Sequence, residues 1–206
     1  MDTTRGVSLR YAKVLQPAAL DRLRRTFRSM NRWMILLWRL GLGRCAESWP
    51  SVGGRILVIE HRGRKSGNRY LTPLNFTRDG SACFCLAAFG SGADWYRNVM
   101  ATHEAVVWLP DGRWSAAATD VTDEPGARGR IRRVLIDSGF AARLFGLDPR
   151  AMTDEEIAET TATYRLVRLE TTEHLDDGYA DLAWAWIPIG GVATALGVAR
   201  ILKDRR

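Results

Sequence analysis

The chain has 206 residues, of which 46% are hydrophobic and 26% charged, a composition that excludes disorder and suffices for one good core. Its net charge is +7 and its pI near 9.8, which points to an anionic partner without choosing among nucleic acid, acidic lipid and a phosphorylated cofactor. Its three cysteines, Cys45, Cys83 and Cys85, make no disulfide framework, and no His or Cys stands at zinc-binding offsets, so no metal site is expected. That usage fits a reducing cytosol. No apolar stretch precedes residue 30, so no secretory signal peptide is expected.

The first element runs from about Pro17 to Leu42. Leu20, Leu23, Phe27, Met30, Met34 and Leu37 alternate spacings of three and four, the stripe of an amphipathic helix. Arg22, Arg24, Arg25, Arg28, Arg32 and Arg39 decorate the same stretch, with Asp21 the only acid. Such a helix either packs on the domain with a solvated basic face or lies on anionic lipid, aided by Trp33 and Trp38.

From Arg55 to Thr122 the chain reads as β. Arg55–His61, Tyr70–Thr77, Ala82–Phe89, Ala105–Leu109 and Trp114–Val121 are rich in β-branched, aromatic and small apolar residues. Asp79-Gly80 and Asp111-Gly112 are two-residue hairpin signals. Asp94 is the expected N-cap of a short helix through Met100. Two more helices follow, over Pro125–Ile136 and from a cap at Thr153 to about Thr163, and Tyr164–Leu169 reads as a closing strand. Short strands with tight turns predict a small antiparallel barrel or sandwich. The tail, Leu182 to Ala199, carries no charged residue and ends in Arg200, Lys203, Arg205 and Arg206. It is just short of the ~20 residues of a membrane span and contains Pro188. A surface-lying or re-entrant tail is the favoured reading over a true span or packing on the domain.

The stretch richest in chemistry is Gly63-Arg64-Lys65-Ser66-Gly67, followed by Arg69 and Thr72-Pro73-Leu74. Glycines let a backbone approach an anion closely, arginine adds a planar fork and lysine a point charge. The turn reads either as a phosphate grip or as a solvated basic hairpin. It is not a Walker loop, because Arg64 rather than glycine precedes Lys65.

This turn, Thr72-Pro73-Leu74, Arg78-Asp79-Gly80 and Trp95-Tyr96-x-Asn98, in that order and spacing, resemble the deazaflavin-dependent nitroreductase family of the flavin/deazaflavin oxidoreductases. The resemblance covers about Arg55 to Glu170. It implies an α+β fold built on a split β-barrel of about six antiparallel strands with flanking helices. It implies the deazaflavin coenzyme F420, with FMN or FAD as the alternative; F420 carries a phosphodiester and an oligoglutamate tail. By position, Arg64, Lys65, Ser66 and Arg69 would hold the phosphate and tail. Thr72, Pro73 and Leu74 would line the sheet near the ring, and Gly90, Trp95 and Asn98 would complete the site. Trp95 reads more readily as core than as a ring contact. Relatives place a serine-lysine pair after the third strand, where this chain has Phe89-Gly90-Ser91-Gly92, and the late tyrosines of nitro-reducing relatives are Phe140, Phe145 and Tyr164 here. Ser91 and Tyr164 are the candidate proton donors. His61 and His103 are weaker ones, each more often a strand-end or surface residue.

Residues 1–50 are thus expected to form an N-terminal amphipathic segment, 51–172 the barrel and 173–206 an apolar and basic tail. The function expected is hydride transfer from reduced F420 to a quinone-like or other apolar acceptor, on the inner face of the cytoplasmic membrane. A non-catalytic deazaflavin- or lipid-binding protein is the alternative. No nucleic-acid motif is present, and the oligomeric state is open.

Overall fold

The computed structural model describes residues 30–43, 54–144, 147–176, 178 and 180–186. Six strands form the body: β1 (Ile56–Arg62), β2 (Arg69–Asp79), β3 (Ala82–Ala87), β4 (Glu104–Leu109), β5 (Gly112–Asp120) and β6 (Arg165–Asp176). They close into an antiparallel barrel in the order β1-β2-β3-β6-β5-β4. Helices flank it: α1 over residues 30–39, α2 (Asp94–Thr102), α3 (Ala127–Asp137), α4 (Phe140–Leu144) and α5 (Asp154–Thr160). This is the α+β split barrel that the sequence motifs imply.

Period-two alternation builds the interior. Leu57, Ile59, Phe76, Cys83, Cys85, Val107, Leu109, Val167 and Leu169 meet inside the barrel, all at most 1% exposed, and Trp95 and Val99 of α2 plug one end. The thiols of Cys83 and Cys85 are packing groups, and burial pushes the Cys85 thiol well up. The outward residues of β3 and β6, Phe84 and Leu86 with Leu166, are covered by Ile131, Val134 and Leu135 of α3 and Ile157 of α5. Thr153 starts α5 with a capping box, its side chain accepting from Glu156 N–H while Glu156 answers the Thr153 N–H.

The barrel is not paired throughout. β2 pairs with β1 from Arg69 to Asn75, but with β3 only from Phe76 to Asp79. Beyond Phe76 the two strands diverge, and one edge of β2 lies open over Arg69–Asn75. Backbone hydrogen bonds close the pairs Arg55–Phe76 and Gly63–Asn68, so antiparallel alternation turns the peptide groups of Leu71, Pro73 and Asn75 towards that open edge. Pro73, which has no N–H, suits such an edge.

Several expectations shift in detail. Asp79 pairs with Ala82 and Leu109 with Gly112, so the hairpin turns are Gly80-Ser81 and Pro110-Asp111, one residue from the expected dipeptides. Ala93, not Asp94, is the N-cap of α2, and it caps without a side-chain bond; Asp94 is the first helical residue and reaches back to Arg64. Helix α4 is an addition, and β6 runs to Asp176, well past Leu169, because its far end pairs with β5 through a bulge near Trp114.

Helix α1 packs on the outside of the barrel, with Trp38 fully buried against Val58 and Trp108, and Met34 beside them. This corrects the expected roles of its residues. Met30, Trp33 and Leu37 lie on the opposite side and are exposed, whereas Trp38 is not available to lipid. The helix is amphipathic, but the face it buries is one step round from the expected stripe. The expected helix before residue 30, and the tail beyond residue 186, lie outside the described residues.

The two ends of the described chain meet. The Arg39 guanidinium donates to both Asp181 carboxylate oxygens at 2.9 and 2.7 Å, Leu182 N–H donates to Arg39 C=O, and Trp186 Nε1–H donates to Leu40 C=O. Gly41, at φ +82°, lets α1 end there with Ala180 and Ala183 against it.

Candidate active site

A pocket of about 220 Å³ opens where β2 and β3 part. Thr72, Pro73, Leu74 and Asn75 form one wall, Leu86, Ala88, Phe89 and Trp95 the facing one, and Val134 and Leu135 of α3, with Ser138 at its C-cap, the back. Asn31 of α1 and the Tyr164 ring lie on its rim. The lining is apolar and aromatic with a few polar groups, as small-molecule sites are. The volume is below the ~300–1,000 Å³ of a pocket that swallows a whole drug-sized ligand, so it accepts part of a large one.

The cationic turn stands at the end of the same wall, about 10 Å of strand from Thr72 at ~3.3 Å per residue. Gly63 N–H donates to Asn68 C=O and Gly67 N–H to Gly63 C=O, which close the turn. A Cβ at Gly63 would meet Ser66 Oγ at 2.6 Å and the Tyr70 ring at 2.7 Å, so a larger residue there would displace both side chains. Ser66 Oγ lies 3.3 Å from Tyr70 Oη and accepts from Asn68 N–H. Lys65 is exposed and has no hydrogen-bond or ionic partner among the described residues.

Arg64 is tethered. Its Nη1 donates to Asn98 Oδ1 at 2.9 Å and reaches Asp94 at 3.4 Å, and its backbone N–H donates to the same Asn98 oxygen at 3.2 Å. Asn98, buried on α2, also donates from Nδ2 to His61 Nδ1 at 3.3 Å, and His61 Nε2 lies 3.1 Å from Thr72 Oγ1. His61 stacks on Tyr70 at 5.9 Å. Burial lowers its pKa below the ordinary 6.5, against smaller raising effects of the Arg62 backbone and Asp94.

The structure brings most expected residues together and moves others away. Arg64, Asn98, Thr72, Leu74 and Trp95 converge on one network and one pocket; Trp95 is also core, at 9% exposure. Tyr164 lines the pocket, and its hydroxyl has no partner among the described residues. Burial raises its pKa, so it holds its proton at neutral pH. Ser91 does not reach the pocket: it is exposed, and its backbone C=O accepts from Arg97 Nε. Gly90 is buried at φ +63° with a hypothetical Cβ 2.4 Å from Thr163 C=O, a structural pivot rather than a pocket wall. Arg69 points to the other side of the sheet, as the alternation of β2 requires. It closes on both oxygens of Glu60, which also accepts from Trp108 Nε1, beside a separate hollow of about 560 Å³ that includes Arg62 and Glu104. His103 caps the end of α2 at φ 57°, with Nδ1 on Ala118 C=O and away from the pocket.

His61 is the residue that sequence reasoning undervalued. Its place two residues before Gly63, on the inward parity of Leu57 and Ile59, was the available signal.

The profile of the F420H(2)-dependent quinone reductase family matches residues 34–153. The chain belongs to that family. It is an F420-dependent oxidoreductase, and F420 is its coenzyme, which settles the expected choice between this deazaflavin and an ordinary flavin, and that between catalysis and simple binding. No curated protein matches. Among solved structures the reductase resembles an F420-H2 dependent reductase (18% identity, TM-score 0.41, covering 56% of this chain and 93% of that one). It also resembles an F420 reductase (16%, 0.38, 62% and 93%) and the heme storage protein HutZ of Vibrio cholerae (13%, 0.41, 62% and 87%). These overlaps are low, and the assignment rests on the family match.

The residues of the reductase fit this coenzyme. An apolar slot with an open strand edge suits a flat ring that carries hydrogen-bonding edges, and a glycine-bounded turn with an unpaired lysine suits a phosphorylated tail. Among the described residues no group of His, Cys, Asp and Glu could hold a metal ion.

Proposed function

We propose that the reductase seats the coenzyme ring between the open edge of β2 and Phe89–Trp95, with its phosphate and acidic tail on the Gly63–Gly67 turn, and reduces a quinone-like acceptor at the pocket mouth. The observation that carries this reading is the continuity of the apolar slot with the cationic turn along one strand. The bound coenzyme supplies a hydride, and the hard chemistry is its own. The protein aligns donor and acceptor and excludes water, which the apolar walls do. A quinone that takes the hydride needs one further proton to become a quinol. In this reading Tyr164, which lines the pocket, delivers it and is reprotonated from solvent. Lys65 binds the phosphate, with its own and the Ser66 N–H, the two amides of the turn that have no acceptor among the described residues. Arg64 shapes the turn through Asn98, and Arg69, neutralised by Glu60, contributes little.

The same reading places the enzyme against the cytoplasmic face of an anionic membrane, where an acceptor dissolved in the bilayer would be met. The support is the exposed aromatics of α1 and of the segment after β6: Trp33 is 65% exposed, Trp184 63% and Trp186 44%. Tryptophans at an exposed polar and basic rim suit a headgroup layer. No helix among the described residues is long and apolar enough to cross a membrane.

Steady-state rates on menadione test the catalytic reading. Turnover with reduced F420 should exceed that with NADPH, and Tyr164→Phe should lower kcat with little change in KM. Faster reaction with NADPH, or none with F420, refutes it.

A further inference from the structure

The structure assigns His61 as a positioning residue that fixes the Thr72 hydroxyl as a hydrogen-bond donor into the pocket, towards an acceptor atom on the edge of the bound ring. The assignment follows from a chain of donors and acceptors that has only one consistent direction. Asn98 Oδ1 receives two N–H groups from Arg64, the backbone one at 3.2 Å and Nη1 at 2.9 Å. An amide oxygen only accepts, so the other arm of the amide, facing His61, is the NH₂. An NH₂ only donates, so His61 Nδ1, 3.3 Å away, presents its lone pair. A neutral imidazole has one N–H, which is therefore on Nε2, 3.1 Å from Thr72 Oγ1. The Thr72 oxygen thus accepts from His61. Its own proton has no acceptor among the described residues, and Thr72 lines the pocket. Burial of His61 favours the neutral ring that this requires.

The consequence is specificity. A hydroxyl free to rotate serves donor and acceptor ligands alike; one whose oxygen already accepts from an imidazole keeps its proton and a single lone pair for the ligand, and the accepted bond strengthens it as a donor, so a ring edge that presents an acceptor there is favoured over one that presents N–H. The inference rests on the pocket taking the coenzyme ring, and the direction of the relay can be checked without it.

The test has two arms. In the first, long-range proton–nitrogen NMR on ¹⁵N-histidine-labelled protein without ligand reads the His61 tautomer near neutral pH. The Nε2–H form is expected, and an Nδ1–H form overturns the assignment. In the second, fluorescence titration with oxidised F420 gives Kd for variants. Thr72→Val keeps β-branched shape in a strand and should weaken binding roughly tenfold, while Thr72→Ser stays within about twofold. His61→Leu should weaken binding in the wild-type background and add nothing in the Thr72→Val background. Equal losses in both backgrounds, or a Thr72→Val variant that binds like wild type, overturn it. If the wild-type protein does not bind F420, the pocket reading fails, while the tautomer still decides the relay.

Discussion

At the scale of single residues, the cations around the turn are far from equivalent. Lys65 has no partner among the described residues, Arg64 is committed to Asn98 and Asp94, and Arg69 is locked to Glu60 on the opposite face. Lys65→Ala should therefore weaken F420 binding by ~1.5–3 kcal/mol, the range for a hydrogen bond to a charged group. Arg69→Ala should leave the affinity almost unchanged but lower thermal stability, because it strips a largely buried carboxylate of its bidentate partner. Titrating F420 into each variant and melting it distinguishes the two effects. His61 gives a pH signature. Its folded pKa lies below its unfolded value of 6.5, so between the two the unfolded chain binds more protons. The stability His61 contributes is complete above pH 6.5 and drains as pH falls through the folded pKa. Asp94 and Arg62 act on it nearby, and Glu60, Arg69 and Glu104 line the hollow on its far side. Chemical denaturation from pH 7.5 to 5 should show this loss in wild type and a flatter slope in His61→Gln.

At the scale of elements, the sequence made the strands visible because period two is a strong signal where one face is buried. Arg55–His61 was legible instead from its β-branched and apolar run between charged residues, and β1 lies within a residue of that reading. The end of β6 was not visible: Thr172–His174 is polar and exposed, and the pairing of this end with β5 depends on a bulge that no local pattern announces. Helix α4 was missed because its pattern is too short to show a period. The open edge of β2 was equally hidden, since unpaired backbone follows from where β3 goes, not from residues 69–75 themselves. The clasp between α1 and the segment after β6 is another long-range feature. The Arg39 hydrogen bond holds the Asp181 carboxyl below the usual range. Its contribution is complete above the unfolded carboxylate pKa of about 3.9 and is lost as pH falls through the lower folded value. The pair is exposed, so Asp181→Asn should cost only ~0.2–1 kcal/mol. The sensitive readout is the protection of the Leu182 amide against exchange, relative to an unstructured peptide at the same pH, because its N–H bonds to Arg39 C=O: protection should fall in the variant and, in wild type, below about pH 4.

At the scale of the whole molecule, exposed aromatics stand on a basic chain: Trp33 and Leu37 of α1 and Trp184 and Trp186 of the segment clasped to it are exposed, and the net charge is +7. Co-sedimentation with vesicles should rise with phosphatidylglycerol content and fall with salt. Trp33→Ala with Trp184→Ala should reduce it on the same vesicles, and a protein that stays in the supernatant at low salt rules the membrane reading out. The parting of β2 and β3 has a cost besides the site it opens. Bare strand backbone invites a strand from another molecule, and Pro73 guards only one position of that stretch. A ring seated there would occupy the groups a neighbouring chain could otherwise recruit. F420 would then act for this enzyme as a guard against self-association as well as a reductant, and the protein's solubility in a cell would be tied to its coenzyme supply.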